Sequence, residues 1–440
     1  MHFLKRCSVF KIVLSALLIV ALLQLIYLSL LSRLHGKQQR YKYSELFESN
    51  GNPRGGVFMT RKNAKKERLK YSLSTGGIFD SSGQYRIYKN IVKSDFSSHQ
   101  QPDGDSTSHP QFVLATHTSI NNLHHLNELL ERWDGPMSVA IFAHTHVVKF
   151  ATALIYALSL LCPHIQALVD FHLICHSGDL ATFPENDREH FVGLKDCRGV
   201  FGKLDKHRDM YQNYAIAGNV SYPNNLLRNV ARGSIEAAYT LVIDIDMMPS
   251  ENLHDQFLQF IKRRTPQPDE VFVLPAFEIR HTRKIPPSKK EVLQLYQVGE
   301  VRPFYEELCH KCHAPTNYSQ WLNLHLQRPS DVSDSGDLDV AYTLSWTDPW
   351  EPFYIGSQDT PLYDERFRQY GFNRISQACE LHVAGYKFTV LNNAFLVHRG
   401  FKVPGEFHAR KDEENRRNRI LFRQFKEGLK LKYPESAQHC

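Results

Sequence analysis

Two carboxylates one residue apart, Asp244 and Asp246, follow directly on the apolar run Tyr239-Thr-Leu-Val-Ile243. The run reads as a buried strand. Alternate residues of a strand share a face, so both carboxylates are expected to point into one space. In an open α/β sheet, ligands bind beyond the carboxyl ends of the strands. Two hard oxygen ligands there suit Mg2+ or Mn2+, with a diphosphate adding further oxygens. The plainer alternative is that Asp244 caps the next turn and Asp246 is solvated, since turns are rich in Asp. A metal phosphohydrolase would use the pair as nucleophile and acid, but its Asp-x-Asp-x-Thr or -Val pattern meets Met248 here.

The elements that must position this pair are legible on either side. Pro223 opens a helix whose apolar stripe is Leu226, Leu227, Val230 and Ala231, with Arg228 and Arg232 one turn apart off it. Upstream, strands are expected at 112–116, 138–143 and 169–175, with helices over 122–133 and 152–161 between them. Strands alternating with helices argue for a parallel, Rossmann-like α/β sheet. A last strand is read over 388–391, and an amphipathic helix over 412–432 presents Ile420, Leu421, Phe425 and Leu429 to the core.

The chain has 440 residues and a net charge of +7. Residues 1–70 hold fourteen Lys/Arg against three Glu, a net of +11, so residues 71–440 stand at −4. Basic charge confined to a leader excludes a general nucleic-acid binder, which would carry it on the folded body. Residues 12–31 (IVLSALLIVALLQLIYLSLL) hold no charge, and twenty helical residues span the ~30 Å hydrocarbon layer. The run is longer than the ~7–15 apolar residues of a signal peptide and lacks a small-residue cleavage site. The expected organisation is a cytoplasmic tail (1–11), a single-pass signal anchor (12–31), a loop-like lumenal stem (32–75) and one catalytic domain (76–440). Sequons at Asn219 and Asn317 agree with a body in the secretory lumen. Cys309-His-Lys-Cys312 has no partner pair at zinc spacing, so disulfides are expected, with one of seven lumenal cysteines left over.

Several longer motifs resemble glycosyltransferase family 49: Tyr222-Pro-Asn-Asn-Leu-Leu-Arg-Asn229, Leu241-Val-Ile-Asp-Ile-Asp-Met247 and Leu274-Pro-Ala-Phe-Glu-Ile-Arg280. So do Trp350-Glu-Pro-Phe353, the segment Asp364–Arg374 and Leu396-Val-His-Arg-Gly400. The likeness covers the anchor and nearly everything from Gly76 to Cys440, with 94–109 and 331–339 resembling insertions. It implies a GT-A fold on the signal anchor, a Golgi location, Mn2+ and UDP-glucuronate as the donor. The implied acceptor is a β-xylose on the O-mannosyl glycan of α-dystroglycan, and the added glucuronate primes extension by LARGE. A complex with LARGE or other Golgi glycosyltransferases belongs to the same implication. Two alternatives stay open: transfer of N-acetylglucosamine from UDP-GlcNAc to poly-N-acetyllactosamine, and a non-catalytic lumenal scaffold.

By the same resemblance, Asp244, Asp246 and His398 hold the metal and the donor diphosphate. Ala115, Thr116 and His117 border the uridine, and Asn225 and Arg228 either contact nucleotide or sugar or are a helix cap and a solvated face. A glucuronate carboxylate favours a cation in the pocket, for which Arg280, Arg283, Lys284 and Arg302 are candidates. Inverting transfer needs a base to take the acceptor proton. Related enzymes place an acidic pair after Phe-x-x-Trp-Gly-x, but Phe367-Arg-Gln-Tyr-Gly-Phe372 is followed by Asn373-Arg374. Asp364 and Glu365 are therefore the first candidates for the base, with Glu351 and Asp348 next. Trp346, Trp350, Phe353 and Tyr354 are either a stacking floor for sugars or core.

Overall fold

The computed structural model describes Gln24 and residues 56–98, 112–184, 193–208, 221–265, 267–324, 337–405 and 410–440. The expected anchor (12–31) lies outside these residues except for Gln24, which is helical. Among the described residues no helix is long and apolar enough to cross a membrane. The chain divides into two units, residues 1–67 and 68–440. The stem reading needs one correction, because Gly56–Ser74 is an α-helix rather than a loop. Its middle, Arg61–Lys70, is rich in Lys, Arg, Ala, Glu and Leu, all strong helix formers that need no apolar period. At its end Leu69 and Leu73, one turn apart, are buried in the second unit.

The strands of that unit are β1 (Ile78–Phe79), β2 (Tyr85–Val92), β3 (Phe112–Ser119), β4 (Met137–Ala143), β5 (Val169–His176), β6 (Tyr239–Asp244) and β7 (Met247–Pro249). They continue as β8 (Glu270–Leu274), β9 (Ala276–Ile279), β10 (Val301–Pro303), β11 (Asp339–Leu344), β12 (Phe353–Ser357), β13 (Lys387–Asn392) and β14 (Leu396–Arg399). A ten-stranded sheet runs β1-β2-β5-β4-β3-β6-β12-β8-β13-β11, and a smaller one runs β10-β9-β14-β7. The expected parallel core is present: β5, β4, β3 and β6 are mutually parallel neighbours. All eight residues of β3 and all seven of β4 are buried, as strands covered on both faces must be.

The sheet is mixed rather than parallel throughout. β12 enters between β6 and β8, antiparallel to both, because its continuously apolar Phe353-Tyr-Ile-Gly needs burial on both faces. That insertion brings the Trp350–Phe353 segment beside the end of β6, where the two carboxylates stand.

Helix Asn224–Arg232 packs against β3 and β4, and all its residues but Asn224 are buried, both arginines included. The terminal helix Lys411–Lys432 buries the expected Phe425 and Leu429 and packs Leu421 half-buried on the core, but its stripe continues through Phe422, Asn418 and Glu414 rather than Ile420. Glu414, Asn418, Phe422, Phe425 and Leu429 are inside, while Ile420 is 53% exposed. Two polar residues lead that stripe because they hydrogen-bond the loop beneath, as described below. Disulfides join Cys162–Cys197, Cys309–Cys312 and Cys379–Cys440, and Cys175 is free and buried.

Candidate active site

Asp244 ends β6 with His117 of β3 beside it in register. His117 Nε2 lies 3.1 Å from Asp244 Oδ1 and its Nδ1 lies 2.8 Å from the Tyr222 hydroxyl. Burial lowers the pKa of His117, so the ring is neutral and accepts from Tyr222 at Nδ1 while donating to Asp244 at Nε2. Arg228 Nη2 donates to the same Oδ1 at 3.1 Å, and Arg374 Nη2 donates to Oδ2. Burial alone would raise the Asp244 pKa, but the Arg374 and Arg228 guanidiniums with His117 hold it well below the usual carboxylate range.

Both arginines are themselves held. Arg228 is 3% exposed and donates to Asn225 Oδ1 and Asn373 Oδ1, each at 2.8 Å, and Arg374 lies over the Phe353 ring at 4.0 Å. The segment Asn373-Arg374, where an acidic pair is the expectation, therefore supplies a cation that clamps Asp244 and an amide that holds Arg228.

Asp246 has another set of neighbours. His398 Nε2 is 3.4 Å from its Oδ2 and Lys402 Nζ is 4.0 Å from it. Burial raises its pKa, but His398 and Lys402 more than offset this and the carboxyl stays ionised. His398 Nδ1 lies 2.8 Å from the Gly400 carbonyl, the anchoring that metal-binding imidazoles have, with the other nitrogen turned to the cation. One carboxylate and one imidazole facing each other fit a divalent ion completed by diphosphate oxygens. Among the described residues no group of three or more His, Cys, Asp or Glu converges as a metal cluster. Lys402, which the sequence did not single out, is held by Glu278: this wholly buried carboxylate accepts from the Lys402 backbone N–H (3.1 Å), Arg302 Nε (2.9 Å) and the Tyr305 N–H (2.9 Å).

A cavity of about 790 Å3 opens from Asp244. Arg228, Arg374, Tyr305, His313, Glu351 and Phe353 are among its lining residues, as are Lys311, Arg419 and Arg423. One wall is the loop 369–373, where Gln369 (φ 59°), Gly371 (φ 89°) and Phe372 (φ 61°) adopt left-handed backbone. The terminal helix holds this loop: Asn418 Nδ2 donates to the carbonyls of Arg368, Tyr370 and Gly371 at 2.8–3.0 Å. Glu414 accepts from the Tyr370 N–H at 3.3 Å. A Cβ at position 371 would stand 2.7 Å from Asn415 Oδ1, so both the φ value and the space require glycine there.

The other residues singled out from the sequence fall elsewhere. Asp364 pairs with Arg366 next to a separate groove, and Glu365 Oε1 accepts from Asn229 Nδ2 at 3.0 Å; neither lines the Asp244 cavity. Ala115 and Thr116 are wholly buried in β3, so at that strand's end His117 alone of the three reaches the carboxylate turn. Asn225 is also wholly buried, its amide donating to the Asp364 and Asn373 carbonyls, and it braces Arg228 from within.

Arg280 and Arg283 pair with Glu300, and Arg280 lies on Phe401, next to Lys402, rather than in the cavity. Trp346, Trp350 and Tyr354 are core, and Phe353 meets the cavity beneath Arg374. Asn317 is exposed and caps the helix Tyr318–Asn323, whereas Asn219 lies outside the described residues.

The sequence profile of the family described as "Glycosyl-transferase for dystroglycan" matches residues 111–434. β-1,4-Glucuronyltransferase 1 of Danio rerio is 69% identical over 442 residues, covering 100% of both chains. The protein of that name in Homo sapiens is 47% identical over 442 residues, again covering 100% of both. Xylosyl- and glucuronyltransferase LARGE1 of Homo sapiens is 26% identical over 74% of this chain and 35% of its own length. With its ionised Asp-x-Asp turn at a strand end, the chain belongs to glycosyltransferase family 49 and is a glycosyltransferase enzyme.

Proposed function

We propose that the enzyme moves glucuronate from UDP-glucuronate to a β-xylose acceptor, with inversion and with Mn2+, in synthesis of the O-mannosyl glycan of α-dystroglycan. The observation that carries this reading is the 69% identity, over the whole of both chains, with a protein named for β-1,4-glucuronyl transfer. The similarity to LARGE1, named for both xylosyl and glucuronyl transfer, supports a role in priming that enzyme's extension, in a shared complex or in sequence. The proposed fold type is GT-A, with residues 76–440 as the catalytic domain held at the Golgi membrane by the apolar run 12–31 and the body in the lumen.

Asp246 and His398 would hold the cation, which when bound neutralises charge developing on the departing UDP. The residues of the chain do the rest. Asp244, fixed by three partners, offers an oriented acceptor edge to the donor, and His117 keeps its position at the strand end. Arg374 and Arg228 lend positive potential to the inner cavity while restrained by Asp244. Lys311, Arg419 and Arg423 line the same cavity and are the cations placed to meet a sugar carboxylate, a role that passes to them from Arg302, which is tied to Glu278 and Glu307.

The test offers the full-length protein UDP-glucuronate and UDP-N-acetylglucosamine in parallel, with Mn2+ and a β-xyloside, and identifies the product by mass. A glucuronyl product abolished by EDTA is the expected outcome. An N-acetylglucosaminyl product alone would sink the donor assignment, and no product from either would favour a scaffold.

A further inference from the structure

We propose that Glu351 is the general base that takes the acceptor hydroxyl proton, a role that rests on the glycosyltransfer reading above. β12 pairs antiparallel with β6 through Ile355↔Leu241, Gly356↔Thr240 and Ser357↔Tyr239. Because the pairing is antiparallel, the segment that leads into β12 at Phe353 stands at the Asp244 end of β6. Glu351 precedes β12 by two residues, and Arg374, Arg228 and Asp244 act on its carboxyl electrostatically. Its backbone N–H is fixed by the Cys312 carbonyl at 2.9 Å, and its side chain lines the cavity that opens from Asp244.

Asp244, Asp364 and Glu365 each have a hydrogen-bonding or ionic partner that occupies the carboxylate. The Glu351 carboxylate, 16% exposed, has no hydrogen bond from any described residue. His313 Nε2 lies 3.8 Å from its Oε1. Burial pushes His313 down to about 3, so that contact is between a neutral ring and the carboxyl rather than an ion pair.

Arg374, Arg228, Asp244, Tyr305 and Tyr370 complete its electrostatic surroundings, and Asp348 and Lys311 line the same cavity. Burial raises the Glu351 pKa, Arg374 and Arg228 oppose this, Asp244 adds to it, and the result is about 7. A base with that value exchanges protons near neutral pH, where general-base catalysis is most effective.

The step balances. The acceptor oxygen forms its bond to the anomeric carbon as its proton passes to the Glu351 carboxylate. The bond from the anomeric carbon to the diphosphate oxygen breaks, and its electron pair leaves with UDP. The proton on Glu351 is then lost to solvent before the next turnover.

The experiment compares wild type with Glu351→Gln, Glu351→Asp and Asp348→Asn across neutral pH, using UDP-glucuronate and a β-xyloside, with UDP binding in Mn2+ followed by calorimetry. Glu351→Gln is expected to lower kcat by ~100-fold or more while UDP affinity stays within about twofold. Wild-type kcat/KM should fall as pH drops through about 7, as the base takes up its proton, and that limb should vanish from the residual Glu351→Gln activity. Glu351→Asp should keep the limb at a reduced rate.

Glu351→Gln activity within ~3-fold of wild type, or a limb that disappears in Asp348→Asn instead, would overturn the assignment. If Glu351→Gln does not fold, a wild-type profile without the limb has the same force. A wild type that transfers another sugar overturns the donor reading alone, because the same variants then test the base with that sugar. A wild type that transfers neither sugar overturns both.

Discussion

Asp244 has three partners on its carboxylate, Arg228 at 3.1 Å, His117 at 3.1 Å and Arg374, whereas two residues on Asp246 has His398 at 3.4 Å and Lys402 at 4.0 Å. The strand period that was expected to give the two a common space does bring them to one turn. Their neighbours come from different parts of the fold: β3, helix Asn224–Arg232 and the 369–374 loop for Asp244, but β14 and the loop after it for Asp246. Asp244 is thus held from three sides where it faces the cavity, while Asp246 has two more distant neighbours.

The largest expected effect breaks this contrast at its functional end. Asp246→Asn should cut transfer by ~1000-fold or more, because losing a ligand to a Lewis acid removes several kcal/mol at ~1.4 kcal/mol per tenfold. Stability should stay within ~0.5 kcal/mol of wild type, since only His398 and Lys402 lose a partner. Mn2+-dependent UDP binding by calorimetry and urea unfolding read the two quantities separately. Retained Mn2+-dependent UDP affinity would overturn the assignment of Asp246 to the metal.

Asp244→Asn should show the opposite balance. It leaves two guanidiniums facing a neutral amide, and Arg228 is 3% exposed. Breaking a buried pair from one side costs ~3–5 kcal/mol, and a loss of about 2–3 kcal/mol is expected here because the Asp244 side chain keeps 36% exposure. The pH dependence follows from the depressed pKa. A carboxyl held below its unfolded value stabilises the fold above the unfolded pKa of ~4, and that contribution is lost as pH falls towards the folded value. Denaturant unfolding at neutral pH and below ~4 should therefore separate wild type from Asp244→Asn at the higher pH and bring them together at the lower.

A third, smaller effect belongs to the terminal helix, which reaches Asp244 only through the 369–374 loop. Asn418→Ala removes the donor shared by three carbonyls and should cost ~1–3 kcal/mol. It should also lower kcat more than it raises KM, because Arg374 and Asn373 follow the loop. Gly371→Ala should do the same through its φ of 89°, and unchanged kcat in both variants would separate the loop from the site.

The parts of this arrangement that the sequence made legible are those with local periodicity. β3, β4, β5 and β6 appeared as apolar runs, and helix Asn224–Arg232 showed as a stripe with two arginines off it. The clamp on Asp244 did not appear, because its members come from residues 117, 228 and 374 and meet only through tertiary packing. Asn373-Arg374 was visible as the place where an expected acid is absent. That signal pointed to a missing base rather than to a cation for Asp244. The polar lead of the terminal stripe, Glu414 and Asn418, was hidden for a related reason: an apolar period marks what a helix buries in a core, not the backbone N–H and carbonyl groups it caps.

The smallest expected effect concerns the acids that precede that gap, Asp364 and Glu365. Asp364 and Glu365 follow helix-facing residues of the 361–365 segment, and both work outside the cavity. Asp364 holds Arg366, whose side chain is 59% exposed, so Asp364→Asn should cost no more than ~1 kcal/mol. Glu365→Gln keeps an oxygen to accept from Asn229 Nδ2 and should cost less. Transfer by either variant should stay within ~3-fold of wild type, with an unchanged pH profile, because neither carboxylate reaches the space where an acceptor hydroxyl would lie. A large loss of kcat in Asp364→Asn at unchanged stability would mean that the 361–366 segment swings into the cavity when substrate binds. The contrast between a committed Asp244 and an available carboxylate would then have to be drawn again with Asp364 on the available side.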